Sequence, residues 1–179
     1  MMTRRWLVAV ALLATATAAP LTRAAAATTA DSSTTILLVR HAEKDTLMVG
    51  ADPPLSASGL LRAQELARML GDTKLAAIYV TPFRRNRQTA QPLATRLGDT
   101  LTVVNAIDST VTCLRTKHYG QTVLAVGHSN TVPQTIEQLS GQKIPPFQEG
   151  EFDRLYVLIL LPRRLASVLA LRYGAHRTP

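Results

Sequence analysis

Short apolar runs alternate with amphipathic stretches from residue 34 to residue 173. Thr34–Val39 is apolar and partly β-branched, and it stops at Arg40-His41-Ala42-Glu43-Lys44. Such a run reads as a strand buried on both faces of a parallel sheet. A loop over Asp45–Ser56 follows, with Gly50 and the Asp52-Pro53-Pro54 turn. Ser56 or Ser58 can cap a helix that runs to about Leu70. Leu60, Ala63, Ala67 and Leu70 recur at three- or four-residue spacing, with Arg62, Glu65 and Arg68 facing out, and Gly71 ends the helix. Leu75–Val80 reads as a second buried strand, ending in the polar stretch Thr81–Ala90. A helix then runs to about Leu97, with Pro92 predicting a kink or break. Leu101–Val104 is a short third strand, Asn105–Ser109 a loop holding Asp108, and Thr110–His118 a helix.

The opening pattern then recurs. Thr122–Val126 is a buried strand that stops at Gly127-His128-Ser129-Asn130, and Asn130 can cap a helix through Pro133, Ile136 and Leu139 to Gly141. Leu155–Leu161 and Ala166–Tyr173, joined by a Pro162-Arg163-Arg164 turn, predict a hairpin. Strands alternating with helices predict an α/β fold. It is a three-layer sandwich with a mostly parallel central sheet, helices on both faces and a C-terminal strand hairpin. Residues 34–179 show no fixed-period repeat and no linker, so they are read as one domain after a polar lead-in at 28–33.

The first 27 residues have another character. Arg4 and Arg5 precede an apolar stretch from Leu7 to about Ala19, and Ala24–Ala27 offers A-x-A cleavage patterns. This reads as a secretory signal peptide at 1–27, too short to span a bilayer comfortably. A periplasmic or secreted protein without a stable membrane anchor is expected. The single cysteine, Cys113, cannot form an intrachain disulfide, so the fold must rest on its core. Its neighbours predict a buried helical position.

Net charge is +8, and three arginines with no acid lie in the leader, which leaves +5 on the remainder. That balance suits an anionic substrate or a solvated basic surface. No Lys/Arg run is long enough for a nucleic-acid patch, and 4% aromatics argue against a base-stacking surface.

Candidate chemistry gathers where strands end. Ligand sites in open α/β sheets lie beyond the carboxyl ends of the strands. Two histidines, His41 and His128, stand at such ends, one directly after Arg40, and an Arg-rich segment ends a third strand. Each could be a satisfied structural residue by itself. Two imidazoles with several guanidiniums suit phosphoryl transfer, in which charge spreads over three oxygens and an imidazole nitrogen can carry the phosphoryl group. Neither histidine has a partner at metal-ligand spacing, so no metal or other cofactor is expected.

Three separated blocks resemble the histidine phosphatase superfamily, also called phosphoglycerate mutase-like. Leu38-Val39-Arg40-His41-Ala42-Glu43 resembles its R-H-G/A-E block, Thr81–Ala90 its S-P-x-x-R-x-x-Q-T-A block, and Val126-Gly127-His128-Ser129-Asn130 its G-H block. Pro54-Leu55-Ser56 and Gly59 are similar to its P-L-[ST]-x-x-G helix start. The resemblance implies that His41 is the phosphoacceptor and that Arg40, Arg85, His128 and Ser129 bind phosphate, whereas Arg84 and Arg87 fall off the matched position. A carboxylic acid must protonate the leaving alkoxide. Asp108 is the first candidate, with a turn or cap role as its alternative, and Glu43 is the second. The compact chain resembles the short branch of the superfamily, which implies an acid-type phosphomonoesterase acting without metal on a small phosphorylated substrate. The alternatives are a non-catalytic phospholigand-binding module on the same fold and an envelope protein that binds anionic polymers. Lys44, Lys117 and His118 are read as solvated, and His176 as irrelevant.

Overall fold

A computed structural model describes residues 33–161 and 166–175. The leader 1–27, the lead-in up to residue 32, the Pro162-Arg163-Arg164 turn and His176 lie outside the described residues. The elements are β1 (Thr34–Arg40), α1 (Ala57–Leu70), β2 (Leu75–Val80), α2 (Arg84–Leu97) and β3 (Leu101–Val103). They continue as α3 (Ile107–Thr116), β4 (Thr122–Gly127), α4 (Thr131–Ser140), β5 (Arg154–Leu160) and β6 (Ser167–Arg172). The sheet order is β3-β2-β4-β1-β5-β6. The first four strands in that order pair in parallel, β5 runs antiparallel to β1, and β6 antiparallel to β5.

The period of two along β1 divides the core. Ile36 and Leu38 pack with Leu114 of α3 and Val132, Ile136 and Leu139 of α4. Leu37 and Val39 pack on the other face with Leu66 of α1 and Leu93 and Ala94 of α2. Every residue from Ile36 to Val39 is buried, as its uninterrupted apolarity requires. Each such side chain contributes about 1.5–3 kcal/mol relative to leaving it in water. Helices α1 and α2 cover one face, and α3 and α4 the other. Strand β4 therefore lies between two strands, β1 and β2, whose following helices sit on the face opposite to its own. Each flank of β4 is a point where the winding reverses, and ligands bind in crevices of this kind.

Two glycines set how closely helices approach these strand ends. A Cβ on Gly59 would lie 2.2 Å from the Glu43 carbonyl oxygen, so the start of α1 touches the backbone leaving β1. A Cβ on Gly127 would lie 2.8 Å from Thr131 Oγ1 and 2.9 Å from Val132 Cγ2. Helix α4 can therefore begin directly against the end of β4.

Several local expectations are corrected. Helix α2 begins at Arg84, so most of the stretch read as a polar strand end is its first turns. It runs through Pro92 without a break, because Ala90, Leu93 and Ala94, all fully buried, hold both halves on the sheet. Helix α3 begins at Ile107, which puts Asp108 in its first turn rather than in a loop. Asn130 precedes α4 but makes no side-chain cap bond. Arg62 is not outward-facing but buried. Among the described residues no helix is long and apolar enough to cross a membrane.

Candidate active site

The register of β1 and β4 opposes Arg40 to Gly127, and the His41 amide donates to the Gly127 carbonyl at 2.9 Å. One residue further on, the rings of His41 and His128 meet edge to face with centroids 5.3 Å apart. His41 is buried, and its Nδ1 lies 2.7 Å from the Ala42 carbonyl oxygen. A carbonyl only accepts, so Nδ1 carries the hydrogen and Nε2 keeps the lone pair. Burial, with the charges of Arg40 and Arg85 and the neighbouring His128 adding to it, lowers the His41 pKa to about 3. The ring is therefore a neutral nucleophile at any ordinary pH.

Two guanidiniums flank it. Arg40 Nη1 donates to the carbonyls of Gln148 (2.9 Å), Glu149 (3.4 Å) and Glu151 (3.2 Å). Its plane lies over the Phe152 ring at 4.0 Å. Arg85, on the first turn of α2, sits 4.4 Å over the Phe83 ring and pairs with Asp52 at 3.6 Å. Arg85 Nη2 lies 3.4 Å from His128 Nδ1. Since arginine only donates, the neutral His128 ring accepts there and donates from Nε2 to Thr81 Oγ1 at 3.1 Å. Burial first, then Arg85 and Arg40, lowers the His128 pKa to about 4. The Nε atoms of both Arg40 and Arg85 are buried with no hydrogen-bond partner among the described residues.

These groups open on a cleft of about 470 Å³, lined also by Lys44, Ser129 and Asn130. Its lining includes no carboxylate among the described residues, and the N-terminus of α4 adds amide donors and positive potential at its edge. The arrangement can hold a tetrahedral oxyanion and present an uncharged imidazole nitrogen to it. Among the described residues no three His, Cys, Asp or Glu side chains gather as a metal site would require.

Helix α2 also braces the loop that carries His41. Thr89 Oγ1 accepts the Ala42 amide at 2.9 Å, and Gln88 Oε1 accepts the Leu55 amide at 2.8 Å. Asn86 Nδ2 donates to the carbonyls of Val126 (3.0 Å) and Gly127 (3.1 Å) at the end of β4. The Asp52 carboxylate accepts the Arg84 amide at 2.9 and 3.1 Å, tying the loop after β1 to the start of α2.

The structure thus brings Arg40, His41, Arg85, His128 and Ser129 to one cleft. It does not bring Asp108 or Glu43 there. Asp108 is exposed on α3, where its carboxylate accepts Gln138 Nε2 at 3.2 Å. The shift of the helix start to Ile107 turned it away. Glu43 is gripped by Arg62: Nε donates to both carboxylate oxygens (3.1 and 3.0 Å) and Nη2 to Oε1 at 2.8 Å. Arg62 continues to the carbonyls of Tyr173 and Ala175, so this pair joins the loop after β1, helix α1 and the segment after β6. Arg84 and Arg87 are exposed, and Cys113 is half-buried against the α3/α4 core. Lys117 is exposed, as is Lys44 at the rim of the cleft. His118 is not solvated: it is buried, with Tyr79 Oη at 2.7 Å from Nε2 and Gln121 Oε1 at 3.1 Å from Nδ1.

Sequence reading missed Thr81, Thr89 and Gln88 as supports, although they lie inside the quoted Thr81–Ala90 block. Phe152 and the Arg62–Glu43 clamp left no local signal, since each joins segments far apart in the chain.

The two lowered histidines make stability depend on pH. Both folded-state pKa values lie below the ordinary 6.5, so the unfolded chain binds more protons between about pH 6.5 and 4. Stability is therefore full above 6.5 and falls on acidification, at up to about 1.4 kcal/mol per pH unit for each histidine. Urea midpoints from pH 7 to 4.5 should fall for the wild type and fall less steeply for His41→Ala. Equal slopes would refute the low pKa of His41.

Residues 36–108 match the family model described as histidine phosphatase superfamily (branch 1). No curated protein matches the chain. Among solved structures, the chain is similar to the protein histidine phosphatase SixA complexed with tungstate, at TM-score 0.66 and 18% identity, over 77% of this chain and 96% of that one. It is also similar to a mycobacterial glucosyl-3-phosphoglycerate phosphatase, at TM-score 0.63 and 14% identity, over 80% and 99%. At these identities the likeness is one of fold.

Proposed function

We propose, for a chain that belongs to the histidine phosphatase superfamily, that it is a metal-independent phosphomonoesterase working through a phosphohistidine on His41. The observation that carries this reading is the neutral His41 ring in a cleft that Arg40, Arg85 and His128 also line. Guanidinium donors suit the equatorial oxygens of a phosphoryl group, over which charge is spread in the transition state. In the first step the Nε2 lone pair attacks phosphorus, and the ester oxygen leaves with the P–O bonding pair. In the second, water attacks phosphorus and the P–N pair returns to Nε2, releasing orthophosphate. Tungstate, bound in the SixA structure, is an oxyanion of the same tetrahedral shape. Turnover should persist at pH 5, where the fold is less stable than at pH 7 but neither imidazole protonates, since both stay neutral down to about pH 4. The leader at 1–27 is read as its export signal, which puts its work in the periplasm or outside the cell.

The test is hydrolysis of p-nitrophenyl phosphate with EDTA present, at pH 5 and pH 7, together with acid-labile, alkali-stable phosphate trapped on the protein during turnover. Activity that survives EDTA and pH 5, with the trapped phosphoenzyme, is the expected result. Activity lost with a midpoint near pH 6.5, or no phosphoenzyme during turnover, would refute the mechanism. One observation favours a rival reading as a phospholigand-binding module: no carboxylate is among the residues lining the cleft. Such a module would bind vanadate or tungstate and never release product.

A further inference from the structure

We propose that a second cavity, beside His128, is the leaving-group subsite of this cleft, and that the substrates are aryl phosphate monoesters. The inference rests on the phosphatase reading above and names its substrate class. The cavity measures about 190 Å³ and shares Phe83, His128 and Thr131 with the catalytic cleft. It lies at the carboxyl ends of β2 and β4 and reaches between the sheet and helices α3 and α4, with Leu38, Tyr79 and Ala125 among its walls, beside the second of the two crevices that the winding leaves at β4. His41 lies in the first.

The walls select the ligand. Tyr79, Val104, Ile107, Val126 and Val132 make most of the surface apolar, and Thr81, Thr110 and Thr135 supply a few hydroxyls. A mostly apolar pocket with a few polar groups is the usual form of a small-molecule site. A cavity of about 150 Å³ with aliphatic walls takes a benzene ring, so this one accommodates a ring with small substituents. At the shared wall, Phe83 stands edge to face with His128, centroids 5.2 Å apart, and offers an aromatic lip to a ring that passes it.

The cleft itself points the same way by a separate route. Asp108 and Glu43 bond elsewhere, and no carboxylate lines the cleft among the described residues. An alkoxide leaves poorly unless an acid protonates it. A phenolate is far less basic and departs with the P–O bonding pair unassisted, taking its proton afterwards from water. The phosphoryl group passes to His41 Nε2 and then to water, so the products are a phenol and orthophosphate. Apolar walls and the missing acid thus select one class of ester.

The experiment compares phenylphosphonate with methylphosphonate, two non-hydrolysable anions that differ in the ring, by titration calorimetry on the wild-type chain. Wild type should bind phenylphosphonate about tenfold tighter or more. Ala106→Phe places a ring at an exposed N-cap position on the cavity lining and removes no side-chain cap bond. It should weaken phenylphosphonate at least about tenfold more than methylphosphonate. Ile107→Ala, which strips an apolar wall, should narrow the same gap if the first variant does not fold. Equal affinities in the wild type, or a gap that persists in a folded variant, would overturn the proposal. A gap that behaves as expected in a protein that hydrolyses neither phenyl nor ethyl phosphate would support the subsite and refute the phosphatase reading instead.

Discussion

His41→Ala should lower kcat for p-nitrophenyl phosphate by about 10⁴-fold or more, the scale on which loss of a covalent nucleophile is felt, while vanadate still binds. The asymmetry follows from the division of labour in the cleft. In the proposed mechanism Arg40, Arg85 and His128 hold the oxyanion, and each has anchors besides the His41 ring. Arg40 is pinned by three carbonyls and Phe152, Arg85 by Phe83 and Asp52, and His128 by Thr81 and Arg85. What His41 supplies is the Nε2 lone pair, uncovered because Nδ1–H is spent on the Ala42 carbonyl. Steady-state kinetics with vanadate inhibition or calorimetry separates the two effects. Equal rates in wild type and variant would remove His41 as the nucleophile. Loss of vanadate binding along with turnover would mean that the ring holds the anion rather than attacking it.

Glu43→Ala should destabilise the fold by about 3–5 kcal/mol, because it strands a buried guanidinium. Arg62 is 6% exposed, and its partner carboxylate accepts from both Nε and Nη2. Removal leaves a charge in the interior, still donating to the carbonyls of Tyr173 and Ala175 but without its carboxylate. Thermal unfolding should shift down by roughly 10 °C or more. The double substitution Glu43→Ala/Arg62→Met should recover part of the loss, since apolar packing can replace a buried pair. Glu43→Gln serves as the functional control. A positioning role predicts a lower unfolding midpoint with kcat within a few-fold of wild type, whereas an acid in the reaction would lose about 10²–10⁴-fold. A large kcat loss at unchanged stability would restore Glu43 as the proton donor.

The strands and helices were legible because their signals are local. An uninterrupted apolar run, a three-to-four spacing and a glycine stop each depend on a few neighbouring residues, and the elements lie where these signals put them, within a few residues at the ends except for the start of α2, whose first turns fall in the stretch read as a polar strand end. The α/β alternation then implied the crossovers. A strand end followed at once by Arg40-His41 or Gly127-His128 marked where ligand-facing groups would stand, since the winding leaves its crevices there. Arg85 was singled out from Arg84 and Arg87 by its place in a motif, and the structure directs it to the cleft while the other two face water.

What the tertiary structure alone decided is the direction of each side chain whose partner is remote in sequence. Arg62 fits the exposed stripe of α1 by periodicity, yet it turns inward because Glu43, 19 residues earlier, waits on the β1 loop. Asp108 belongs to the turn after β3 by composition, yet a helix starting at Ile107 faces it to Gln138, 30 residues later. Arg40 is held by a segment 108 to 111 residues away. A carboxylate or a guanidinium pairs with whatever opposite charge or carbonyl the fold brings within about 3 Å. That distance is set by packing across the whole domain. Sequence alone therefore determined which elements form and which residues stand at the strand ends, and only the fold decided which charged groups face the cleft and which were drawn off to hold the structure together.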